Sequence, residues 1–206
     1  MSVSVLGVAL FLACSSPSAG ATGKSSVVEE IRKLYALVNT AVRERRTVDV
    51  VLTSDASGFS GGVWRRESRG GSGATASQGG IVATISYMAG VPVKVVFAVS
   101  SPSGDWRNST EYIFYSNGKT AFRFERHVTL LGPESSPRVS PPFVVEDRRY
   151  FDPRGRQVRA LVDAFAEKSK TKVPPDEVQR VEMPRLDGTE SLPFPLPVAS
   201  SQSEPR

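Results

Sequence analysis

The sequence predicts an α+β domain, an N-terminal helix packed on an antiparallel β-meander with a second helix after the last strand, and three observations carry most of it. Between residues 27 and 42 apolar side chains recur at three- and four-residue steps, the spacing of one helical face. From residue 81 the apolar spacing changes to alternation, the period of a strand. The alternating runs are separated by short glycine-bearing turns, which favours strands that follow one another across a single sheet.

Each element follows in order. Ser26-Val27-Val28-Glu29 has the form of a capping box, in which the serine hydroxyl accepts from the third amide and the glutamate reaches back. Val27, Ile31, Leu34, Val38 and Ala41 then make one stripe, with Leu37 and Val42 alongside. The basic end, Arg43-Glu44-Arg45-Arg46, suits the negative pole of the helix dipole. Residues 47–53 turn β-branched and read as a strand. Residues 54–80 are rich in Gly, Ser and Arg and read as a long flexible loop around one short strand, 62–66.

The meander proper begins with strands at 81–88 and 91–99 about the turn Ala89-Gly90. Strands at 111–115 and 120–126 flank Ser116-Asn117-Gly118-Lys119, where Asn-Gly is a strong hairpin signal because both residues tolerate positive φ. Phe122 and Phe124 then share one face, with Arg123 and Glu125 on the other, expected solvated, face. A strand at 143–151 meets the turn Asp152-Pro153-Arg154-Gly155. Val158, Leu161, Val162 and Phe165 predict a second helix after that last strand. Beyond residue 171 lie 7 of the 15 prolines and little periodicity, which predicts a disordered Pro-rich tail over 172–206 and one domain over 26–171.

Charge separates these parts. The whole chain of 206 residues carries a formal +5, but residues 1–171 hold 22 Lys and Arg against 15 Asp and Glu, while 172–206 hold 4 against 6. A basic domain attracts anionic lipid headgroups or acidic polysaccharide. Nucleic acid ranks last among such partners if the chain is exported.

Export is what the N-terminus predicts. Residues 5–12 form an apolar run too short to span a bilayer, which needs about 20 apolar residues. Phe11-Leu12-Ala13-Cys14 resembles the lipobox of bacterial lipoproteins, and the resemblance implies cleavage before Cys14, lipidation of its sulfur and attachment to a membrane of the bacterial cell envelope. Residues 1–13 would then be the signal peptide and 14–25 a flexible tether. Ala19-Gly20-Ala21 offers a second cleavage site, which would leave a periplasmic or secreted protein, and Met1-Ser2-Val3-Ser4 lacks the positive charge expected of a signal.

The strand sequences carry a second resemblance. Glu111-Tyr112-Ile113-Phe114, Asn117-Gly118-Lys119, Phe122-Arg123-Phe124 and the run from Glu146 to Phe151 resemble small exported bacterial proteins of unassigned function, over roughly residues 80–165. That resemblance implies a β-meander and no activity.

Candidates for chemistry are few. Gly58-Phe59-Ser60-Gly61-Gly62 fits the G-x-S-x-G spacing of a hydrolase nucleophile, and Ser60, Asp105 and His127 occur in the order Ser, Asp, His. The motif needs a strand before it and a helix after it, whereas strand and Gly-rich loop follow here. His127 is the only histidine and Cys14 the only cysteine, so no multi-residue His/Cys metal site can be assembled, and no motif implies a cofactor. Glu146 and Asp147 are adjacent on a strand and face opposite ways, unlike a glycosidase pair. Two arginine groups remain as candidate anion-binding residues: Arg65, Arg66 and Arg69 beside Trp64, and Arg148 with Arg149. The leading expectation is a non-catalytic exported lipoprotein with a binding or structural role. A secreted serine hydrolase using Ser60 and a basic module docking on anionic surfaces are the alternatives, and the oligomeric state is open.

Overall fold

The computed structural model describes residues 23–55, 59, 62–67, 80–134, 139–181 and 183–197. The signal peptide, residues 14–22 of the expected tether with Cys14, Ser60, Arg69 and most of the Gly/Ser/Arg-rich loop lie outside them, while residues 23–25, expected in the tether, belong to the first helix.

One α-helix, α1 (Gly23–Arg43), precedes eight strands: β1 (Val48–Ser54), β2 (Trp64–Arg66), β3 (Ile81–Met88), β4 (Val91–Ser100), β5 (Trp106–Phe114), β6 (Thr120–Thr129), β7 (Phe143–Phe151) and β8 (Gln157–Ala166). All pairings are antiparallel and the sheet order is β2-β1-β3-β4-β5-β6-β7-β8, a meander in which only β2 folds back outside β1. The predicted helix and meander are therefore present.

Helix α1 starts at Gly23, so Ser26 sits inside it rather than at its cap. Its other end closes as a Schellman motif: the Arg46 amide donates to Ala41 O and the Arg45 amide to Val42 O, with Arg45 at φ 56° where glycine is usual. Val28, Ile31, Val38 and Ala41 are buried, packing the helix against Ile113, Phe122 and Tyr150.

The turns obey the glycine signals with one refinement. In β3–β4, Ala89 and Gly90 both take positive φ, 51° and 79°, as a two-residue turn with right-handed twist requires. In β5–β6 only Gly118 does, at 80°; Asn117 does not, and uses its Oδ1 to accept from the Lys119 amide. The turn after β7 repeats this with Gly155 at 81°, and Asp152 Oδ1 accepts from the Arg154 and Arg156 amides. These neighbouring turns are tied together, Tyr115 Oη donating to Phe151 O and Asn117 Nδ2 to Pro153 O.

Three expectations are corrected. The predicted second helix is strand β8, paired with β7 along its length. Leu161, Asp163 and Phe165 lie on one face and Val162, Ala164 and Ala166 on the other, so apolar residues occur on both faces and alternation is hidden. The expected disordered tail is, over residues 173–181 and 183–197, an ordered strap across the sheet face opposite α1. Val173 and Val178 are buried with Phe143, Val145 and Ala164, while Met183, Leu186 and Phe194 complete a cluster with Phe97, Tyr112 and Ile85. Strap carbonyls accept from the sheet: Thr120 N donates to Asp187 O, Thr120 Oγ1 to Leu186 O, Tyr112 Oη to Pro184 O and Tyr87 Oη to Pro197 O. Proline suits such a segment because an extended chain anchored largely by its carbonyls, with the Val173 and Thr189 amides as exceptions, has few ladder amides to lose.

The third correction follows from the second. The face of Arg123 and Glu125 is not solvated, because the strap covers it. Arg123 is 6% exposed and Glu125 8%, and they form an ion pair. Arg149 clamps Asp147 through Nε and Nη at 2.9–3.2 Å, and Asn108 Nδ2 donates to Glu125 Oε1 at 2.9 Å. Glu111, on the α1 face, pairs with Lys94 at 3.0 Å.

Candidate binding groove between the helix and the sheet

Helix α1 covers only part of its face of the sheet, and along its seam with β6 and β7 runs a groove of about 270 Å³. Ile31, Arg32 and Tyr35 come from the helix, where spacings of three and four put them on one side. Phe122 and Phe124 come from β6, and Arg148 and Tyr150 from β7; two-residue spacing puts each pair on the same face. Cross-strand register sets Phe122 opposite Tyr150 and Phe124 opposite Arg148.

The rings are locked together. Tyr35 meets Phe122 edge-on at 5.1 Å between centroids, and Phe122 meets Tyr150 at 4.9 Å. The Arg148 guanidinium lies over the Phe124 ring, 5.5 Å from its centroid. It is also held by Glu146 and, at 3.5 Å, by Asp163. Arg32 stands at the rim, 3.4 Å from the exposed Glu29. Burial, reinforced by the Glu111 carboxylate, pushes the Tyr35 phenol above its ordinary range, so it is a neutral hydroxyl at physiological pH. The groove thus offers an aromatic and aliphatic floor, one phenol and two cationic groups, and no carboxylate among its lining residues.

The arginines singled out in the sequence do not converge. Arg65 and Arg66 lie on β2, at one edge of the sheet, where both are exposed and Arg65 approaches Asp55 at 3.8 Å. Five strands separate them from β7. Arg148 and Arg149, adjacent on β7, point to opposite faces, the first into the groove and the second onto Asp147 on the other face. Arg32, Tyr35, Phe122, Phe124 and Tyr150 were not singled out as site residues. The signal was present as the Ile31–Tyr35 helical step and the Phe122–Phe124 strand step, but their convergence depends on where α1 crosses the sheet.

The remaining hydrolase candidates are also placed. Asp105 is exposed in the β4–β5 turn, where its carboxylate accepts from Ser103 Oγ. His127 lies within β6, 1% exposed, and its neighbours are the Trp106 ring and Asn108 Nδ2, 3.5 Å from its Nδ1, rather than Asp105. No group of three or more His, Cys, Asp and Glu arranged for a metal occurs among the described residues. No helix among them is long and apolar enough to cross a membrane.

Comparison with protein-family models, with curated proteins and with solved structures finds no match for this chain.

Proposed function

We propose that the protein is a non-catalytic binding module of the bacterial cell envelope that holds a small anionic amphiphile in the groove between α1 and the sheet. The observation that carries this reading is the composition of the groove: a floor of Phe122, Phe124 and Tyr150 with Arg32 and Arg148 as its only charged lining groups. Small-molecule sites are concave, mostly apolar and furnished with a few placed polar groups. A carboxylate or phosphate head engages guanidinium in charge-assisted hydrogen bonds while an apolar body replaces water on the rings. The basic excess of residues 1–171 favours an anion in the same sense. The lipobox resemblance at Cys14 supports attachment to the envelope.

Titration with decanoate, followed by calorimetry and by NMR shifts of the groove residues, tests the reading. Decanoate is expected to bind with shifts centred on Tyr35, Phe122 and Tyr150, decanol to bind at least tenfold more weakly, and Arg148→Gln to weaken decanoate by a similar factor. Arg65→Gln should leave binding unchanged. An equal affinity for acid and alcohol, or shifts centred elsewhere, overturns the assignment. The intact mass of the native mature protein reads the tether: diacylated Cys14 at the new N-terminus is expected, and an unmodified chain starting after Ala21 removes it.

A further inference from the structure

The two edges of the sheet are unlike. We infer that the outer edge of β8 is an interface between two copies of this chain, which pair antiparallel about a two-fold axis at Leu161 into one continuous sheet. The inference is independent of what the groove holds.

At the far edge β2 is three residues long and ends in two exposed arginines, a form that discourages further pairing. β8 is ten residues long and contains neither proline nor glycine. The turn that follows it covers only the last part of its outer edge: the Ala166 amide donates to Thr171 O, the Val173 amide donates to Ala164 O, and Phe165 faces Lys172. Among the described residues, no strand lies beside 158–163 on that side. The same bonds show which groups point outward. In a ladder a residue's N–H and C=O point to one side and those of its neighbours to the other, so Ala160 and Val162 present theirs outward, as Ala164 and Ala166 do. Ala160 is exposed, and Val162 is 40% exposed.

That open stretch is complementary to itself. With the axis at Leu161, Ala160 of one copy faces Val162 of the other and exchanges both backbone hydrogen bonds with it, and symmetry repeats the pair. On the α1 face Leu161 meets its own counterpart and Arg159 meets Asp163, while on the opposite face Val162 packs on Ala160. Arg159 is exposed and makes no ion pair among the described residues. Asp163 has room for it: Arg148 approaches Oδ2 at 3.5 Å and Lys172 donates to Oδ1 at 2.5 Å, whereas a carboxylate accepts about four hydrogen bonds.

Moving the axis loses this match. At Ala160 it would set Arg159 against Leu161 and Asp163 against Gln157. At Val162 it would set Arg159 against Phe165 and ask Ala160 to bond Ala164, whose carbonyl Val173 already occupies. An axis between residues would set outward groups against inward ones, and parallel pairing in register would stack Arg159 on Arg159. The complement this edge calls for is therefore its own sequence, which a second copy supplies by symmetry. Leu161 stands opposite Arg148 in the β7–β8 register, so the two grooves would lie on one face of the joined sheet, on either side of the seam.

Sedimentation equilibrium of the full chain, kept reduced and unacylated, provides the test over a concentration series reaching the millimolar range. A monomer–dimer equilibrium is expected. Hydrogen exchange needs no variant: the Ala160 and Val162 amides should gain protection as the dimer fills, while the amides of β2 stay unchanged. Arg159→Asp, at a residue with no ion pair within its own chain, should raise the dissociation constant about tenfold or more by setting like charges face to face at both symmetric sites. Asp163→Arg should do the same. An equimolar mixture of the two variants, each first shown by circular dichroism to be folded, should recover the parent's affinity, because every site then holds opposite charges again. Arg65→Glu, at the far edge, should leave association unchanged. A chain that stays monomeric throughout the series overturns the proposal. So does a dimer indifferent to Arg159→Asp, a mixture that associates no better than either variant alone, or a dimer in which Ala160 and Val162 gain no protection.

Discussion

Phe194→Ala measures how much of the fold the strap holds. Phe194 is 6% exposed and sits edge-on to Trp64 at 4.7 Å between centroids, with Phe97 at 6.1 Å. Truncating a buried phenylalanine costs about 3–5 kcal/mol. The two ring contacts favour the upper part of that range, since each is worth about 0.5–1.5 kcal/mol beyond area burial. A second consideration sets a ceiling. The strap is joined to the sheet by scattered hydrogen bonds and five buried apolar side chains, Val173, Val178, Met183, Leu186 and Phe194, so it is able to open without the meander. Once the strap is free, further damage to it costs nothing more, and the global loss cannot exceed its docking free energy. The expected loss is therefore about 3 kcal/mol, equivalent to roughly 6–12 °C in Tm for a domain of this size. Urea unfolding followed by tryptophan fluorescence is well suited, because Trp64 touches Phe194 and the only other tryptophan, Trp106, stacks on His127 beneath the strap. Leu196→Ala is the control: 39% exposed, it should stay within about 0.5 kcal/mol of the parent. If Phe194→Ala also falls within that margin, the strap is not part of the folded unit, and the reasoning about the covered face fails with it.

Two further outcomes are expected. Ala89 occupies the left-handed region at φ 51° in the β3–β4 turn, a conformation costing an L-residue with Cβ about 1–2 kcal/mol. Ala89→Asn, which tolerates that region, should raise stability by about 0.5–1 kcal/mol and Tm by a few degrees in calorimetry; a lower Tm would show that the turn is unstrained. Asp147→Asn removes one partner of a covered ion pair whose carboxylate is 5% exposed and whose guanidinium is 26% exposed, and should cost about 2–3 kcal/mol, below the 3–5 of a fully buried pair. Adding Arg149→Met should recover most of that loss, and a double-mutant cycle showing simple additivity would rule out the coupling.

The sequence showed the meander because its turns are built from local chemistry. Ala89-Gly90, Asn117-Gly118 and Asp152-Pro153-Arg154-Gly155 each specify a reversal within a few residues, and the reversals set the strand order. Helix α1 was legible for a similar reason, its stripe lying within one segment. β8 was not: its spacing of Val158, Leu161, Val162 and Phe165 fits a helix as well as it does a strand apolar on both faces, and pairing with β7 decides between them. The strap left still less trace. Its anchors Val178, Met183, Leu186 and Phe194 follow no period, because each fills a separate hollow in a surface that exists only after the sheet has formed. The groove was half-visible, its two-residue and four-residue steps being local while their meeting is tertiary.

The polar residues beneath the strap raise the question of what fixes the register of β6 against β7. Arg123 stands directly opposite Arg149, and Glu125 directly opposite Asp147, so like charges face each other across the strands. Such pairs are unfavourable, and a slip of two residues would set opposite charges face to face. Electrostatics alone therefore does not select the observed pairing. It tolerates that pairing because attraction runs along the strands instead, Arg123 to Glu125 and Arg149 to Asp147, with a further pull of Glu125 on Arg149 along the diagonal. What does select the register lies on the other face and at the ends. Phe122 against Tyr150 builds the floor of the groove and the seat of α1, and the tied turns at 116–119 and 152–155 fix the lengths of the strands between them. Folding withdraws Arg123, Glu125 and Asp147 from water, and Arg149 in part, a cost that their mutual pairing offsets rather than exceeds. The covered network is thus poor material for stability, and the apolar contacts of the strap carry its hold on the sheet.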